Sequence, residues 1–457
     1  MKPFMRLPSF FLAGMTLLAT AATAQINDGK PDHAIEVPER LDLPYALAYA
    51  LDNNFTIRQA KERIRQQEGV VLEVKATRIP TLSASGAYQR QDTEIASNGE
   101  DNYWTFGISA RQTIYAGGGI TASNASQKLT LDASVLALQE IVNDVLLDVR
   151  TKFYSVLVAR ERIKVQEQNV ELLQRQLQDV KNRFEAGTVS NFEVLRAEVA
   201  LANAQPALIT ARNDYRLGIE QLRLALGFTN TSEASLAKVP DFIGSLDFQP
   251  ASFELRSALT TAREQRPDLQ RLGKLEQAAQ QGVIVRRANY QPALALFADY
   301  DWNKRTGTSS ISKARDGWTA GVSASWNIFD GRATAGRVVQ AKSILEQAKL
   351  AYAEAQLSVD VEVRRAISSF QQANELAEAS KKVVEQAEEA VRLADARYAA
   401  GTATQLDVLQ ARTDLTTARL NQLQAFYSYN VAVATVRNAM GLPDELKPAG
   451  ELTWPQP

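Results

Sequence analysis

Ser190 stands three residues before Glu193, and 214 residues later Thr404 stands three residues before Asp407. Each pair follows a glycine, Gly187 or Gly401, that closes a long helical pattern. A hydroxyl and a carboxylate at this spacing suit hydrogen bonding to the free N–H groups of a helix start, the capping box, rather than bond breaking. Other reactive side chains are scarce. The chain has no cysteine and a single histidine, His33. Disulfides, thiol catalysis and a lipidated N-terminal cysteine are therefore excluded, and hydrolase triads and zinc sites are not expected. Carboxylate-only acid–base chemistry stays formally open, but no pair of carboxylates stands out. No GxxxxGK[ST] phosphate loop is present, so any energy for work comes from another protein. The reading is a non-enzyme with no catalytic residue, cofactor or metal.

The elements that hold these turns follow from an internal repeat, the first thing to seek in a chain of this length. The segments RFEAGTVSNFEVL (183–195) and RYAAGTATQLDVL (397–409) match at an offset of 214. The same offset takes Trp104, Gly107, Ile114 and Gly117 to Trp318, Gly321, Ile328 and Gly331, and Tyr215, Arg223, Ala225 and Gly227 to Tyr429, Arg437, Ala439 and Gly441. Upstream the offset is 212, pairing Leu47, Pro80 and Tyr88 with Leu259, Pro292 and Tyr300. The chain is two copies of one unit, 41–227 and 257–441, joined by 228–256 and ended by a tail at 442–457.

Composition limits what such a repeat can be. Of the 457 residues 45% are hydrophobic and 23% charged, which excludes both a disordered chain and a polytopic helical membrane protein. Lys2 and Arg6 precede the apolar run FFLAGMTLLATAA, and Ala22-Thr23-Ala24 has the small-x-small form of a signal-peptidase site. Residues 1–24 are therefore read as an export signal and 25–40 as a polar lead-in. Loss of Lys2 and Arg6 moves the formal charge from −1 to −3, and nothing suggests a nucleic-acid partner. Beyond residue 24 no window reaches the roughly 18 to 20 uncharged apolar residues of a membrane helix. Any membrane span must be built from strands.

Each unit supplies two such runs, at about 81–91 and 103–115 and at about 293–304 and 317–329. In the first unit Trp104, Phe106, Ile108, Ala110 and Ile114 share one face against Thr105, Gly107, Ser109, Arg111 and Thr113. In the second, Trp318, Ala320, Val322, Ala324, Trp326 and Ile328 oppose Thr319, Gly321, Ser323, Ser325 and Asn327. Period-two alternation with one polar face, over about 11 residues and with aromatic residues near the ends, fits tilted membrane strands. A soluble sandwich strand alternates in the same way, but the export signal favours the barrel. Helical pattern precedes each hairpin, at about 41–78 and 254–290, up to Pro80 and Pro292. Helices of roughly 67 residues, about 100 Å long, follow over 120–186 and 334–400, and return helices run over 190–226 and 404–440. The second long helix carries a coiled-coil seam from Ala341 through Val359, Val363 and Phe370 to Tyr398, polar only at Ser380. The first carries the equivalent seam from Gln127 to Phe184, with Gln127, Ser134, Lys152 and Gln166 as polar exceptions. Pro206 interrupts the first return helix alone and predicts a bend in one arm.

Four strands cannot close a barrel, and open edges in lipid leave backbone groups unpaired. Two chains give eight strands with a filled interior, so a channel needs at least three chains and twelve strands. At this point the export signal, the doubled unit, Pro80 and Pro292 at the strand starts, and the paired tips together resemble the TolC-type outer-membrane efflux protein family, in its non-lipidated branch, over about residues 40–442. The resemblance implies a mixed fold, all-α plus transmembrane β: a homotrimer with a 12-stranded barrel in the outer-membrane lipid and a periplasmic helical tunnel, with 228–256 as its equatorial segment. It implies a passive exit duct of a tripartite efflux or type I secretion system in a Gram-negative cell. Its partners would be a periplasmic adaptor and a proton-driven or ATP-driven inner-membrane exporter.

In the family polar links near the second tip and inward carboxylates hold the tunnel shut. Tyr398, Thr402 and Asp407 match that pattern, and Glu193 takes the acidic place in the first unit. Ala403 stands where the family has a linking arginine and Gln410 where it has a second aspartate, which leaves Arg397 as the alternative link. Asp407 is read either as an acidic constriction or as a capping carboxylate alone. Arg183, Gly187, Thr188 and Ser190, with Arg397, Gly401, Thr402 and Thr404, are expected to face the adaptor, and Gln405 is taken as a surface position at the tip. The rival reading is a trimeric periplasmic or surface coiled-coil structural protein or adhesin with no channel.

Overall fold

A computed structural model describes residues 40–90, 92, 94, 102–228, 239–304 and 315–443. The signal peptide, His33 and the rest of the lead-in to residue 39, the hairpin loops and the tail from residue 444 lie outside the described residues. Residues 41–228 and 242–443 belong to one unit; Arg40 and residues 239–241 belong to a second, of which they are the described part.

The helical pattern that opens each repeat resolves into two helices, and a residue at the break ties the repeat together. Helix α1 (Leu43–Asn53) starts at Asp42, whose carboxylate accepts the Tyr45 N–H at 2.9 Å. Helix α2 (Phe55–Ala76) starts at Asn54, whose Oδ1 accepts from the N–H of Thr56 and of Ile57. The other side of that amide donates to the carbonyl of Ala225 at 2.6 Å. In the second repeat Pro267 opens the second helix and forces Arg266 into extended backbone (φ −67, ψ 122). Arg266, the counterpart of Asn54 at an offset of 212, reaches the carbonyl of Ala439, the counterpart of Ala225. Two different side chains thus satisfy the same orphan carbonyl near the end of a return helix.

Strands β1 (Thr81–Arg90), β2 (Asn102–Ala116), β3 (Ala293–Lys304) and β4 (Arg315–Ser325) form one antiparallel sheet in chain order. The register places Ser83, Ser109, Asp299 and Thr319 in one row across the sheet, and Ala84, Ile108, Tyr300 and Trp318 in the next. One face is therefore mainly apolar and the other mainly polar, with Phe297 on the polar face between Arg111 and Gly321. A bulge between Thr113 and Tyr115 sets Tyr115, not the expected Ile114, opposite Leu294. The last strand ends at Ser325, short of the expected 329. Its partner begins at Ala293, paired with Ser325, directly after Pro292, which has no N–H to extend the ladder. Trp326 leaves the sheet and donates its indole N–H to the carbonyl of Tyr290 at 3.1 Å.

Beyond the sheet run α3 (Gly119–Glu185) and α7 (Ala333–Ala399), 67 residues each, which turn back into α4 (Asn191–Leu226) and α8 (Gln405–Ala439). The shorter α5 (Leu255–Gln265) and α6 (Pro267–Arg287) precede the second hairpin. Every position of the seam from Ala341 to Tyr398 is buried or half-buried, and in the first repeat only Phe184 is exposed. α4 continues through Pro206, which lies on its exposed side. Two cores sit at equivalent heights. One joins Leu146, Val149, Phe153 and Val156 of α3 to Leu47, Leu222 and Phe242; the other joins Val359, Val363 and Phe370 of α7 to Leu269, Tyr429 and Val436. Each such side chain contributes about 1.5–3 kcal/mol by burial. No helix among the described residues is long and apolar enough to cross a membrane.

Tyr429 links the second core to the segment between the repeats: its hydroxyl donates to the Gln249 carbonyl at 2.6 Å and accepts the Ala251 N–H at 2.9 Å. Tyr429→Phe leaves both backbone groups without this partner and is expected to destabilise by about 1–3 kcal/mol, measured as a lower denaturation midpoint in detergent. An unchanged midpoint refutes the role of this clasp.

Candidate functional site

Two regions of the chain meet its surroundings, the sheet and the helical tips. On the sheet, the rows alternate between a surface of Tyr88, Trp104, Phe106, Trp302 and Trp318 and a surface of serine, threonine and aspartate. The aromatic residues gather toward the hairpin loops, where Phe106 and Trp302 lie 5.5 Å apart and Tyr300 and Trp302 4.3 Å apart between ring centroids. On the polar surface the Ser83 and Ser109 hydroxyls are 2.6 Å apart. This is the two-faced pattern of a membrane strand, apolar toward lipid and polar toward a lumen. The edges, β1 and β4, have no neighbouring strand among the described residues.

At the other end each long helix stops at a glycine in the left-handed region, Gly187 (φ 72) and Gly401 (φ 73). The Gly187 and Thr188 N–H groups return to Phe184 and Arg183, and those of Gly401 and Thr402 to Tyr398 and Arg397. This matched pair of bonds is the geometry of a helix closed by a left-handed residue. Thr188 and Thr402 add hydroxyl bonds to the Arg183 and Arg397 carbonyls at 2.9 and 3.1 Å. The two turns share one backbone.

Their carboxylates differ. Thr404 and Asp407 form a complete capping box, with the Thr404 N–H and hydroxyl each 2.8 Å from Asp407 Oδ2 and the Asp407 N–H on the Thr404 hydroxyl. The bond from the Thr404 N–H, then that from its hydroxyl, and the charge of Arg397 hold the Asp407 carboxyl below its ordinary value of 3.8. Ser190 sits in the N-cap conformation but makes no side-chain cap bond, contrary to the expectation from its spacing. Only its carbonyl accepts, from the Glu193 N–H at 3.1 Å. The longer Glu193 side chain turns toward Arg196, whose Nη1 is 3.9 Å from Oε2; no donor among the described residues forms a hydrogen bond with that buried oxygen.

Two features of the tips are not legible in the local sequence. The Arg183 guanidinium, paired with Asp179 at 3.1 Å, lies 4.9 Å over the ring of Tyr398 and so joins the first tip to the second. Gln405, taken from its sequence as a surface position, is 4% exposed, and neither amide atom has a hydrogen-bond partner among the described residues. Leu406 beside it is 51% exposed. The repeat itself was the only available signal for the first, since it aligns Arg183 with Arg397 and places both near a tip. No cluster of metal-ligating side chains occurs among the described residues.

A sheet mainly polar on one face, with edges unpartnered among the described residues, joined to helices of 67 residues, defines an outer-membrane channel protomer. The model of the family described as "Outer membrane efflux protein" matches residues 46–228 and 258–442, and the chain belongs to that family. It is 26% identical over 412 residues to Protein CyaE of Bordetella pertussis, covering 87% of this chain and 85% of the relative. It is 23% identical over 389 residues to Outer membrane protein TolC of Escherichia coli, covering 82% and 76% respectively. The solved outer membrane channel CmeC of Campylobacter jejuni shares the fold with a TM-score of 0.76 at 18% identity, covering 87% of this chain and 85% of that one. The protein is an outer-membrane channel of the efflux-duct type, with a periplasmic extension and no enzymatic function. Its family works in tripartite efflux systems with an adaptor and an inner-membrane pump.

Because the Asp407 value is lowered, its bond stabilises the tip above the ordinary carboxyl value and is lost as pH falls through the lowered one. Amide exchange over residues 404–410, corrected for intrinsic rate, is expected to show constant protection from neutral pH down to about 4 and a loss below it. Asp407→Asn is expected to abolish that step. Persistence of the step in the variant overturns the assignment.

Proposed function

We propose that three copies assemble into a homotrimer, in which twelve strands close one barrel and six helical hairpins ring a periplasmic tunnel. The observation that carries this reading is the pair of edges, β1 and β4, left without a partner strand among the described residues, on a sheet whose aromatic face suits lipid. Only closure on further copies satisfies those backbone groups, and three is the smallest number that leaves a lumen. A second observation favours the same assembly. Val339, Leu350, Leu357, Val361, Leu376, Val383 and Leu393 are all at least 48% exposed on α7, away from its seam. At 100° per residue they fall within a stripe roughly 100° wide, a face for a neighbouring copy.

In this reading the mature chain begins after residue 24 and 228–256 forms the equatorial segment. Cargo enters from a proton-driven or ATP-driven inner-membrane exporter through a periplasmic adaptor. The adaptor meets Arg183, Gly187, Thr188 and Ser190 of one hairpin and Arg397, Gly401, Thr402 and Thr404 of the next. The resting tunnel is held at the same level by Tyr398, Thr402, Arg397, Asp407 and Glu193, with the Arg183–Tyr398 contact supplying a link between hairpins. Three Asp407 carboxylates drawn together would favour cations.

A photo-crosslinker at Leu406, the exposed neighbour of Gln405, is expected to trap the adaptor in cells, identified by mass spectrometry. Recovery of no periplasmic partner in repeated trials overturns tip docking. In bilayers Tyr398→Ala is expected to raise the resting conductance, and Asp407→Asn to lower cation selectivity. Unchanged conductance removes Tyr398 from the gate, and unchanged selectivity leaves Asp407 with its capping role alone.

A further inference from the structure

The sheet joins the helices through four junctions, at residues 75–80, 115–121, 284–292 and 326–337. These carry six cationic side chains, Lys75, Arg78, Arg286, Arg287, Arg332 and Arg337, against one carboxylate, Asp330. All six are exposed, and none forms an ion pair among the described residues. Asp330 is engaged by the Thr334 N–H at 2.7 Å and the Thr334 hydroxyl at 2.5 Å, a cap on α7. Directly on the membrane side of the basic residues lie Ile79, Trp326, Ile328 and Phe329, 63%, 56%, 82% and 83% exposed. Trp326, Ile328 and Phe329 follow the end of β4 at Ser325 in the chain, so this exposed apolar group borders the end of the strand's apolar surface.

Arg332 stands out within this collar. Its φ of 71 makes it the single non-glycine residue in the left-handed region among the described residues. The equivalent residue of the first repeat is Gly118, with φ 78. The turn from strand to helix needs that conformation in both repeats, and glycine adopts it without opposition from a β-carbon. An arginine retained there against backbone preference points to a use for its side chain.

We propose that this collar binds the phosphate groups of anionic phospholipids in the periplasm-facing leaflet of the outer membrane, with Arg332 as a principal contact. A guanidinium matches phosphate oxygens in a bidentate fork. Aromatic and apolar side chains on one side with cations on the other are the arrangement that fits the acyl-to-headgroup boundary. The occupant follows from continuity with the lipid-facing strand surface and from the charge, six to one in favour of cations. The inference does not depend on the trimer or on the gate at the tips.

The test uses the full-length protein in non-ionic detergent, with native mass spectrometry reading bound lipid and oligomeric state together. Phosphatidylglycerol is expected to be retained in preference to phosphatidylcholine, and millimolar inorganic phosphate is expected not to displace it. Arg332→Gly is expected to weaken retention about fivefold and, by relieving the backbone, to raise the unfolding midpoint without lipid. Arg286→Gln with Arg287→Gln, which leaves every strained residue in place, is expected to weaken retention at least as much. Equal retention of both lipids, displacement by free phosphate, or undiminished retention in both variants overturns the proposal. So does dissociation of the variants into single chains, which assigns the collar to contacts between copies.

Discussion

A peptide group in lipid has no water to bond with, and four strands in one chain leave two rows of such groups unmatched. Much of the architecture answers that constraint. The strands alternate over most of their length, apart from Phe297 on the polar face and the bulge after Thr113, as one face toward hydrocarbon and the other toward a lumen require. The two edges without a partner among the described residues are what the proposed assembly with further copies satisfies. The long seam of each helix packs within the chain, while the opposite side of α7 stays exposed, the face that the proposed assembly gives to a neighbouring copy. Fold and assembly are thus one problem.

The repeat solves that problem twice with different chemistry. Asn54 and Arg266 occupy one place and reach one carbonyl, by an amide in the first unit and a guanidinium in the second. At the tips the backbone turn is identical, yet Asp407 closes a capping box while Glu193 lies half-buried beside Arg196. One methylene accounts for the difference. The shorter Asp407 side chain keeps its carboxylate on the Thr404 N–H and hydroxyl, and the longer one is directed to the next turn. The turn geometry is therefore the shared function of the two tips, and the charge placement is where they diverge.

That divergence bears on how the tunnel end is held. The two hairpins of one chain are already joined by Arg183 over Tyr398, a contact worth about 0.5–2 kcal/mol depending on its desolvation. Asp407 is committed to its own helix by hydrogen bonds, so a role in selectivity would come from its charge alone. An amide sealed without partners at Gln405 is a polar group at the helix start that the packed tip does not satisfy.

The sequence by itself determined the repeat, the number of strands and their faces short of the bulge at Ile114 and the strand end at Ser325, the 67-residue helices and the seam positions. These depend on periodicity, which neighbouring residues encode directly. Family membership was legible for the same reason, because the doubled tip and the strand starts at Pro80 and Pro292 are local patterns. Tertiary structure alone decided which polar groups found each other. Arg183 and Tyr398 lie 215 positions apart in the sequence, and no spacing rule brings them together. Ser190 and Thr404 look alike as caps, yet only the hydroxyl that meets a short carboxylate is used. Gln405 reads as surface because it is polar, yet only 4% of it is exposed. The end of β4 at Ser325 was set by Pro292 on its partner strand, and the left-handed turn at Arg332 by the angle between sheet and helix. Side-chain pairing is a property of packed neighbours, and neighbours in space are what a linear chain does not state.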